Sequence, residues 1–494
     1  MVRACISGRP ARLALICSCV CLPGLTLASP IFQPPGSSLT WGEVSHGQVA
    51  GSATGNPAAA AAASDAGLRK TALGVSASAG LEYGNLQELF DKIDELARSF
   101  RPSDPGDIEE PPPGQDPDKP DDGIDLGDIW DNLDPDVREA VDAIARDLAI
   151  RTALLGIVRN EGFAKAWLAA DVPLVIGREF LGGTWTVGMN WSGASKTFGI
   201  AEPVEFDPDE AREKIDDWLN QLPIERPDWL DVGEDVSLRI LPESGSIRMV
   251  LRNDSSLVSK STQTTQVSAG YSRGAWSNDR GTLYLGAKGH VYLMRLSRLS
   301  VRFGDITDSK ELFDEIRDAD FRSDTRVGLD MGALWVSGNY QVGLQWDNIN
   351  EPEFSFPDVE LSPYSSPDIV AFLQRDKTYQ MDSQLKIEGS IFSSDRRWSA
   401  HLGYDLDPAR DATGDRYQWL TLSAGLITDR WWLPGLRVGY RKNVVGTQVG
   451  FLSLGLTAFK YINFDLSSAL DTVRIDGDDL PQGLMASVGF DFAW

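Results

Sequence analysis

Gly270-Tyr-Ser-Arg-Gly274 has the spacing of a nucleophile elbow, the sharp strand-to-helix turn that lifts a serine hydroxyl clear of a hydrolase sheet. Here Ser272 leaves an alternating strand for an apparent hairpin, so the turn that would activate it is missing. His401 and Asp405 share one strand face and would suit an acid–base pair, which makes a barrel hydrolase the enzyme-class alternative. The remaining histidines, His46 and His290, lie far from each other and from His401, whereas a zinc pair needs ligands a turn apart. Asp116-Pro-Asp-Lys-Pro-Asp-Asp-Gly123 and Asp476-Gly-Asp-Asp479 are rich in oxygen ligands, but neither has the closing glutamate of a calcium loop. We therefore expect no catalytic residue, no metal and no cofactor, and read the two acidic stretches as solvated loops.

A second set of charged residues recurs at every other position of apolar segments: Arg248, Lys288, His290, Arg326, Asp330, Asp382, Lys386, Glu388, Arg437 and Arg441. Placed toward lipid, each charge would cost roughly 2–4 kcal/mol at the bilayer midplane, so in a closed membrane barrel they must face the lumen. There they either set selectivity or pair across strands and fill a polar interior.

The elements that carry them alternate with a period of two. In Tyr379 to Ile391, Tyr379, Met381, Leu385, Ile387 and Ile391 face one way, and Gln380, Asp382, Gln384, Lys386 and Glu388 the other. Similar segments recur from about Asp171 to the end, with a first one at Thr71 to Tyr83, giving roughly twelve to sixteen strands. Segments near 172–179 and 294–303 read as lip or loop. The terminal strand Gly483 to Trp494 puts Leu484, Ala486, Val488, Phe490, Phe492 and Trp494 on one face and ends on an aromatic, as the closing strand of an outer-membrane barrel does.

Connections support the same fold. Backward from Trp494, long gaps (471–482, 442–449, 406–414, 348–377) alternate with tight ones (near Lys460, 428–432, 392–395, 337–339), and 304–324 and 200–235 extend the long series. The long-loop pieces Asp308 to Asp320 and Asp209 to Leu222 read as helical. Trp398, Trp431, Trp432, Tyr461 and Trp494 would mark the inner rim, and Trp346, Tyr404 and Tyr440 the outer. Trp419 breaks the pattern, because its parity points inward.

Arg3, Arg9 and Arg12 before an apolar stretch from Leu13 to Leu27 read as a cleaved signal peptide over residues 1–28. All four cysteines fall within it. Its removal takes the formal charge from −26 to −29, a field that repels nucleic acid. Residues 29–70 form a Gly- and Ala-rich lead, and 71–494 the barrel. Within the barrel, 85–170 reads as an insertion with two helical stripes (Asn85 to Phe100, Asp134 to Val158) around a Pro- and Asp-rich linker, Arg101 to Asp131.

The lead with Trp41-Gly-Glu-Val-Ser-His46 and Asn56-Pro57-Ala58, the helical insertion, Leu433-Pro-Gly-Leu-Arg-Val-Gly-Tyr-Arg441 and the ending Gly489-Phe-Asp-Phe-Ala-Trp494 together resemble the conjugal-transfer TraF-type barrels, which are grouped with FadL-like transporters of hydrophobic compounds. The resemblance implies an all-β transmembrane barrel of roughly fourteen strands whose lead folds back as a hatch containing Asn56, Pro57 and Ala58. It also implies outer-membrane lipid, the barrel-assembly machinery and a small hydrophobic compound as partners, with passive uptake through a hatch-gated lumen. The alternative is a structural barrel in conjugative or envelope assembly that works through its acidic loops and the insertion. The lumen separates the two: an apolar pocket near the hatch favours transport, and a fully packed interior favours the scaffold.

Overall fold

A computed structural model describes residues 35–47, 50, 55–67, 71–84, 163–200, 208–220, 230–232, 236–241, 246–251, 255–302, 316, 319–359, 367–375, 377–428, 430–475 and 478–494. The signal peptide, both helical stripes of the insertion, its linker, and nearly all of Asp308 to Asp320 lie outside the described residues.

In chain order the elements begin with α1 (Ser38–Trp41), α2 (Ala59–Asp65), β1 (Thr71–Tyr83), β2 (Phe163–Phe180) and β3 (Gly183–Ile200). Helix α3 (Pro208–Asn220) and strands β4 (Leu230–Asp231), β5 (Val236–Leu241) and β6 (Ser246–Leu251) come next, followed by β7 (Ser256–Asn278), β8 (Gly281–Arg302), β9 (Arg322–Ser337) and β10 (Tyr340–Asp347). Then come β11 (Glu353–Ser355), α4 (Pro367–Arg375), β12 (Thr378–Gln380), β13 (Gln384–Phe392), β14 (Trp398–Asp405), β15 (Ala409–Arg410), β16 (Arg416–Tyr417) and β17 (Trp419–Leu426). The chain ends with β18 (Gly435–Asn443), β19 (Gly450–Ala458), β20 (Ile462–Ala469), β21 (Thr472–Ile475), β22 (Asp478–Pro481) and β23 (Gly483–Ala493).

Fourteen of these strands close a single antiparallel barrel, in the order β1-β2-β3-β7-β8-β9-β10-β13-β14-β17-β18-β19-β20-β23. Closure is made by β1 and β23, which pair from Ala72↔Ala493 to Glu82↔Gly483. No sheet edge is left open in the wall, so every strand there can satisfy its backbone without water. Period-two patterning sets the register: in β23 residues 483, 485, 487 and 489 are buried while Leu484, Val488, Phe490 and Phe492 are exposed. Leu454, Leu466, Val327 and Ile391 continue this exposed apolar surface around the cylinder. A face this apolar suits hydrocarbon, and the crossing is made by strands; no described helix is long and apolar enough to span.

Strands near 8 residues, such as β10, β14, β17 and β20, match the ~9–11 residues that a tilted strand needs to cross a bilayer. Strands β7 and β8 run for 23 and 22 residues, and β2 and β3 for 18 each, so one side of the wall rises well beyond the membrane at the long-loop end. Residues 172–176 and 294–302 are therefore wall, not lip: they pair continuously in β2 and β8, and the register breaks only between Ile176 and Phe180 at the hairpin end of β2. Residues 163–170, assigned above to the insertion, belong to β2.

Tyr379 to Ile391 is not one strand. Thr378–Gln380 pairs with Glu353–Ser355 in a separate two-stranded sheet, and the wall strand starts at Gln384. The cause is packing: Tyr379 and Met381 bury themselves among Tyr292, Met294, Phe354 and Phe356 at the tall side of the barrel instead of facing lipid. Trp419 finds its explanation inside as well, stacked on Tyr417 with centroids 5.6 Å apart and capped by the Arg441 guanidinium 3.9 Å from the ring centroid. Trp398, Trp431, Trp432, Tyr461 and Trp494 are all exposed at the end bearing the short turns.

Candidate functional site

The candidate site is the interior, where the wall meets residues 35–67. Wall positions of inward parity present charged and amide side chains, and several find partners on that N-terminal segment. Glu388 on β13 accepts hydrogen bonds from the Ser45 backbone N–H, from Ser45 Oγ at 2.5 Å, and from Asn56 Nδ2 at 2.9 Å. Its neighbour Lys386 contacts the Glu43 carboxylate and lies 3.0 Å from Asp347. Burial would push the Glu43 carboxyl up, but Lys386, and then Arg441, hold it below its ordinary range.

Three strands away, on β8, Lys288 donates to the Gly55 carbonyl at 3.3 Å and sits 3.5 Å from Asp330, while His290 Nε2 is 2.5 Å from the same carboxylate. Asp330 also accepts the Asn348 backbone N–H at 2.9 Å. Arg437 forms a fully buried pair with Asp465 at 2.9 Å, and Asp465 also accepts from Thr40 Oγ1 at 2.5 Å. Ser487 Oγ takes the Gly36 N–H at 2.6 Å, Asp491 the Ala50 N–H at 3.0 Å, and Ser272 Oγ the Ala61 N–H at 3.1 Å. Ser272 is thus an acceptor in mid-strand, with no helix following it. His401 turns Nδ1 to Ser390 Oγ at 2.7 Å, while Asp405 accepts the Trp419 backbone N–H at 2.8 Å, so these two are not joined as an acid–base pair.

Asn56, Pro57 and Ala58 rest on a shallow place in the wall. Gly286 on β8 and Gly332 on β9 are directly paired across the strands. A Cβ on Gly286 would fall 2.2 Å from the Pro57 carbonyl oxygen, and one on Gly332 would fall 2.1 Å from Asn56 Oδ1. The same Oδ1 accepts the Ala58 N–H at 3.0 Å, closing the local turn. A third glycine, Gly439, clears the Thr40 carbonyl in the same way, with a Cβ-to-oxygen distance of 2.2 Å. Glycine at these inward positions is what lets a second backbone lie flat against the strands.

Two of the expected inward charges are placed differently, and a third, Asp382, reaches the interior cavity from a loop and not from a wall strand. Arg248 lies on β6, in a three-stranded sheet with β4 and β5 off the barrel wall. Arg326 is on β9 but sits at its exposed outer end near Asp324. Asp382 falls between β12 and β13, where it takes Arg410 at 3.0 Å. Parity alone could not show that these segments leave the wall or end above it. Sequence reading missed Glu43, Ser45, Asp171, Asp465, Gly286 and Gly332; the one available signal was glycine recurring at inward parity.

Between the N-terminal segment and the tall side of the wall lies a cavity of about 200 Å³, reached by Lys288, Asp330, Asp347 and Lys386. Charged and amide groups share its lining almost evenly with apolar surface, to which Pro35, Pro173, Val187, Ala409 and the Tyr292 ring contribute. The interior is neither an apolar pocket nor fully packed. At the long-loop end a further buried cluster ties a loop to the wall: Lys165 lies 2.9 Å from Asp415 and 2.7 Å from Tyr417 Oη, and contacts Asp411. Burial would raise the Asp415 carboxyl, but Lys165 and Lys196 bring it down to about 2.

Residues 53–405 match the family model described as "F plasmid transfer operon, TraF, protein". No curated protein matches the sequence. Among solved structures, a monoaromatic hydrocarbon channel (a TodX deletion mutant) aligns with a TM-score of 0.36 at 8% identity over 86% of this chain and 91% of that one. A FadL homologue of Pseudomonas aeruginosa aligns with a TM-score of 0.31 at 12% identity over 95% and 100%. Likenesses this remote assign no substrate.

Proposed function

The chain belongs to the F plasmid transfer operon TraF protein family, and from that membership and the interior geometry we propose that it is an outer-membrane channel for passive uptake of a small solute, gated by its N-terminal segment acting as a hatch. One observation carries the reading: the segment is held by side chains from strands all round the cylinder, including Glu388, Lys288, Asp465, Ser487 and Ser272. Contacts of this kind can be broken in small groups, each net bond contributing about 0.5–1.5 kcal/mol. The paired glycines under Pro57 give the segment a fitted seat, as a closed gate needs. The cavity beside it supports transport over a purely structural barrel, because a scaffold would gain stability by filling such space.

Energy would come only from the solute gradient. Deleting residues 30–66 and recording single channels tests the reading: conductance should rise several-fold over the full chain. Unchanged conductance would remove the hatch. The assembly role remains the rival reading, and it would be favoured if the deletion left conductance at zero while abolishing conjugative transfer.

A further inference from the structure

Resting on the channel reading, we propose that the long-loop mouth carries a second gate in series with the hatch: the loop 406–418, drawn across the opening as a strap and latched to the far wall by Asp411 and Asp415. The loop joins β14 to β17, whereas the lysines that receive it, Lys165 and Lys196, stand on β2 and β3. In the closed order of fourteen strands β2 is seven steps from β14, and β3 seven from β17, whichever way the ring is counted. No two strands can be further apart, so this contact crosses the mouth and does not follow its rim. The strap is stiff in its own right. Its strands β15 and β16 pair with each other and not with the wall. Asp411 Oδ1 accepts the Thr413 N–H at 3.0 Å, Thr413 Oγ1 at 2.9 Å and the Asp415 N–H at 2.9 Å, which leaves Oδ2 for Lys165. Asp415 accepts from Lys165 at 2.9 Å with one oxygen and contacts Lys196 with the other.

The receiving wall is strongly basic. Across four adjacent strands Lys165 faces Lys196, Lys196 faces Lys260 and Lys260 faces Arg298 in direct register. Like charges placed opposite one another work against strand pairing. One acid of the wall, Glu82, lies opposite Lys165 at the end of this row. The strap brings two more to Lys165 and Lys196, and α4 meets the rest of the row: Arg298 Nη1 donates to the Leu373 carbonyl at 2.6 Å, and Lys260 lies 5.9 Å from the Phe372 ring centroid. Just inside the latch, Trp167 and Ala194 pack with Tyr417, Trp419 and the hatch residue Leu39, so strap and hatch close one passage at successive depths. A buried ion pair stabilises a fold no more than well-packed apolar groups would. Its advantage lies in release, because separated carboxylates and ammonium groups are taken up by water whereas separated apolar faces are not.

The test is single-channel recording from the full chain and from the chain lacking residues 30–66, each with and without Asp411→Asn and Asp415→Asn together. Asparagine keeps an oxygen for each ammonium group, and Glu82 and the Tyr417 hydroxyl stay beside Lys165, so the barrel should fold, which heat-modifiable gel mobility checks. A charge-assisted hydrogen bond is roughly twice as strong as a neutral one, so losing both charges should raise the ratio of open to closed time on the order of tenfold. Asp415→Asn alone, the milder change, should raise it roughly threefold. Gates in series multiply, so the same fold-change is expected with the hatch present or deleted. Trypsin should also cut sooner at Arg416, on the freed strap. Asp407→Asn, which removes an exposed carboxylate from the same loop, should change neither reading. Unaltered open time or unaltered cleavage in the double variant of a chain that conducts, or a change that Asp407→Asn reproduces, would overturn the strap and leave the channel standing. Absence of conductance in all four proteins would overturn the channel reading, and the strap with it.

Discussion

Replacing Gly286 with alanine adds one methyl group to the inward face of β8, and the geometry specifies what that methyl meets. Its Cβ would lie 2.2 Å from the Pro57 carbonyl oxygen, 2.4 Å from its carbon and 2.8 Å from the Ala58 nitrogen. These are backbone atoms, so no side-chain rotation relieves the contact. Restoring ordinary separation requires the segment to retreat by more than about 1 Å, since packed carbon contacts sit near ~3.5–4.0 Å. A shift of that size breaks the Asn56 Nδ2 bond to Glu388, now 2.9 Å, and the Lys288 bond to the Gly55 carbonyl, now 3.3 Å. A bond to a charged partner contributes about 1.5–3 kcal/mol, so the seated state should lose on the order of 3 kcal/mol in all. At 1.4 kcal/mol per tenfold, the open-to-closed ratio should rise by roughly 100-fold.

Single-channel recording reads this as increased open probability, and limited proteolysis reads it as faster cleavage within residues 35–67. Gly289→Ala is the matched control, because a Cβ at Gly289 meets nothing within 4 Å. Heat-modifiable gel mobility should be alike in both variants, which separates hatch release from failure of the barrel. Equal open probability in Gly286→Ala and the parent protein would refute the claim that the paired glycines seat the segment.

Other perturbations follow from the same contacts. Leu466→Arg, on the exposed face of β20, should reduce the folded fraction in lipid by the roughly 2–4 kcal/mol that a lipid-facing arginine costs near mid-depth, measured by urea titration in vesicles. Asp415 has a folded pKa of about 2 against about 3.9 for a free side chain, so its contribution is complete above pH 4 and is lost as pH falls toward 2. On the order of 2 kcal/mol should leave the 406–418 loop over that window, read as increased amide exchange in the loop, and Asp415→Asn should flatten the response. Arg441→Met should leave the Trp419 ring without its cation and shift its emission, with a loss of about 1–2 kcal/mol in barrel stability.

Much of the fold was legible because a lipid-facing barrel cannot avoid period-two patterning. Thr71 to Tyr83 and Gly483 to Trp494 alternate for their whole length, and short turns against long loops fixed the direction of each strand. Legibility failed wherever apolar residues found a non-lipid partner. Tyr379 and Met381 obey the strand pattern yet serve a separate core with Phe354 and Phe356, and Trp419 answers to Tyr417 and Arg441 inside. The interior charges were recognisable as a class, because no charge belongs in hydrocarbon, but their partners were not. Glu388 depends on Ser45 and Asn56, more than three hundred residues away in sequence, and no local spacing encodes that. Arg248 shows the converse limit: its strand alternates well but pairs in a sheet that never joins the wall.

The most direct measurement is a cross-link between the segment and its seat. Ala61→Cys combined with Ser272→Cys places two thiols where Ser272 Oγ already lies 3.1 Å from the Ala61 nitrogen, close enough for a disulfide and with no new Cβ on the wall. The account predicts that the pair forms in the folded protein in its membrane, that neither single variant cross-links, and that the oxidised channel stays closed until a reductant opens it. Failure of the two positions to join, or a joined protein that conducts as freely as the reduced one, would contradict it.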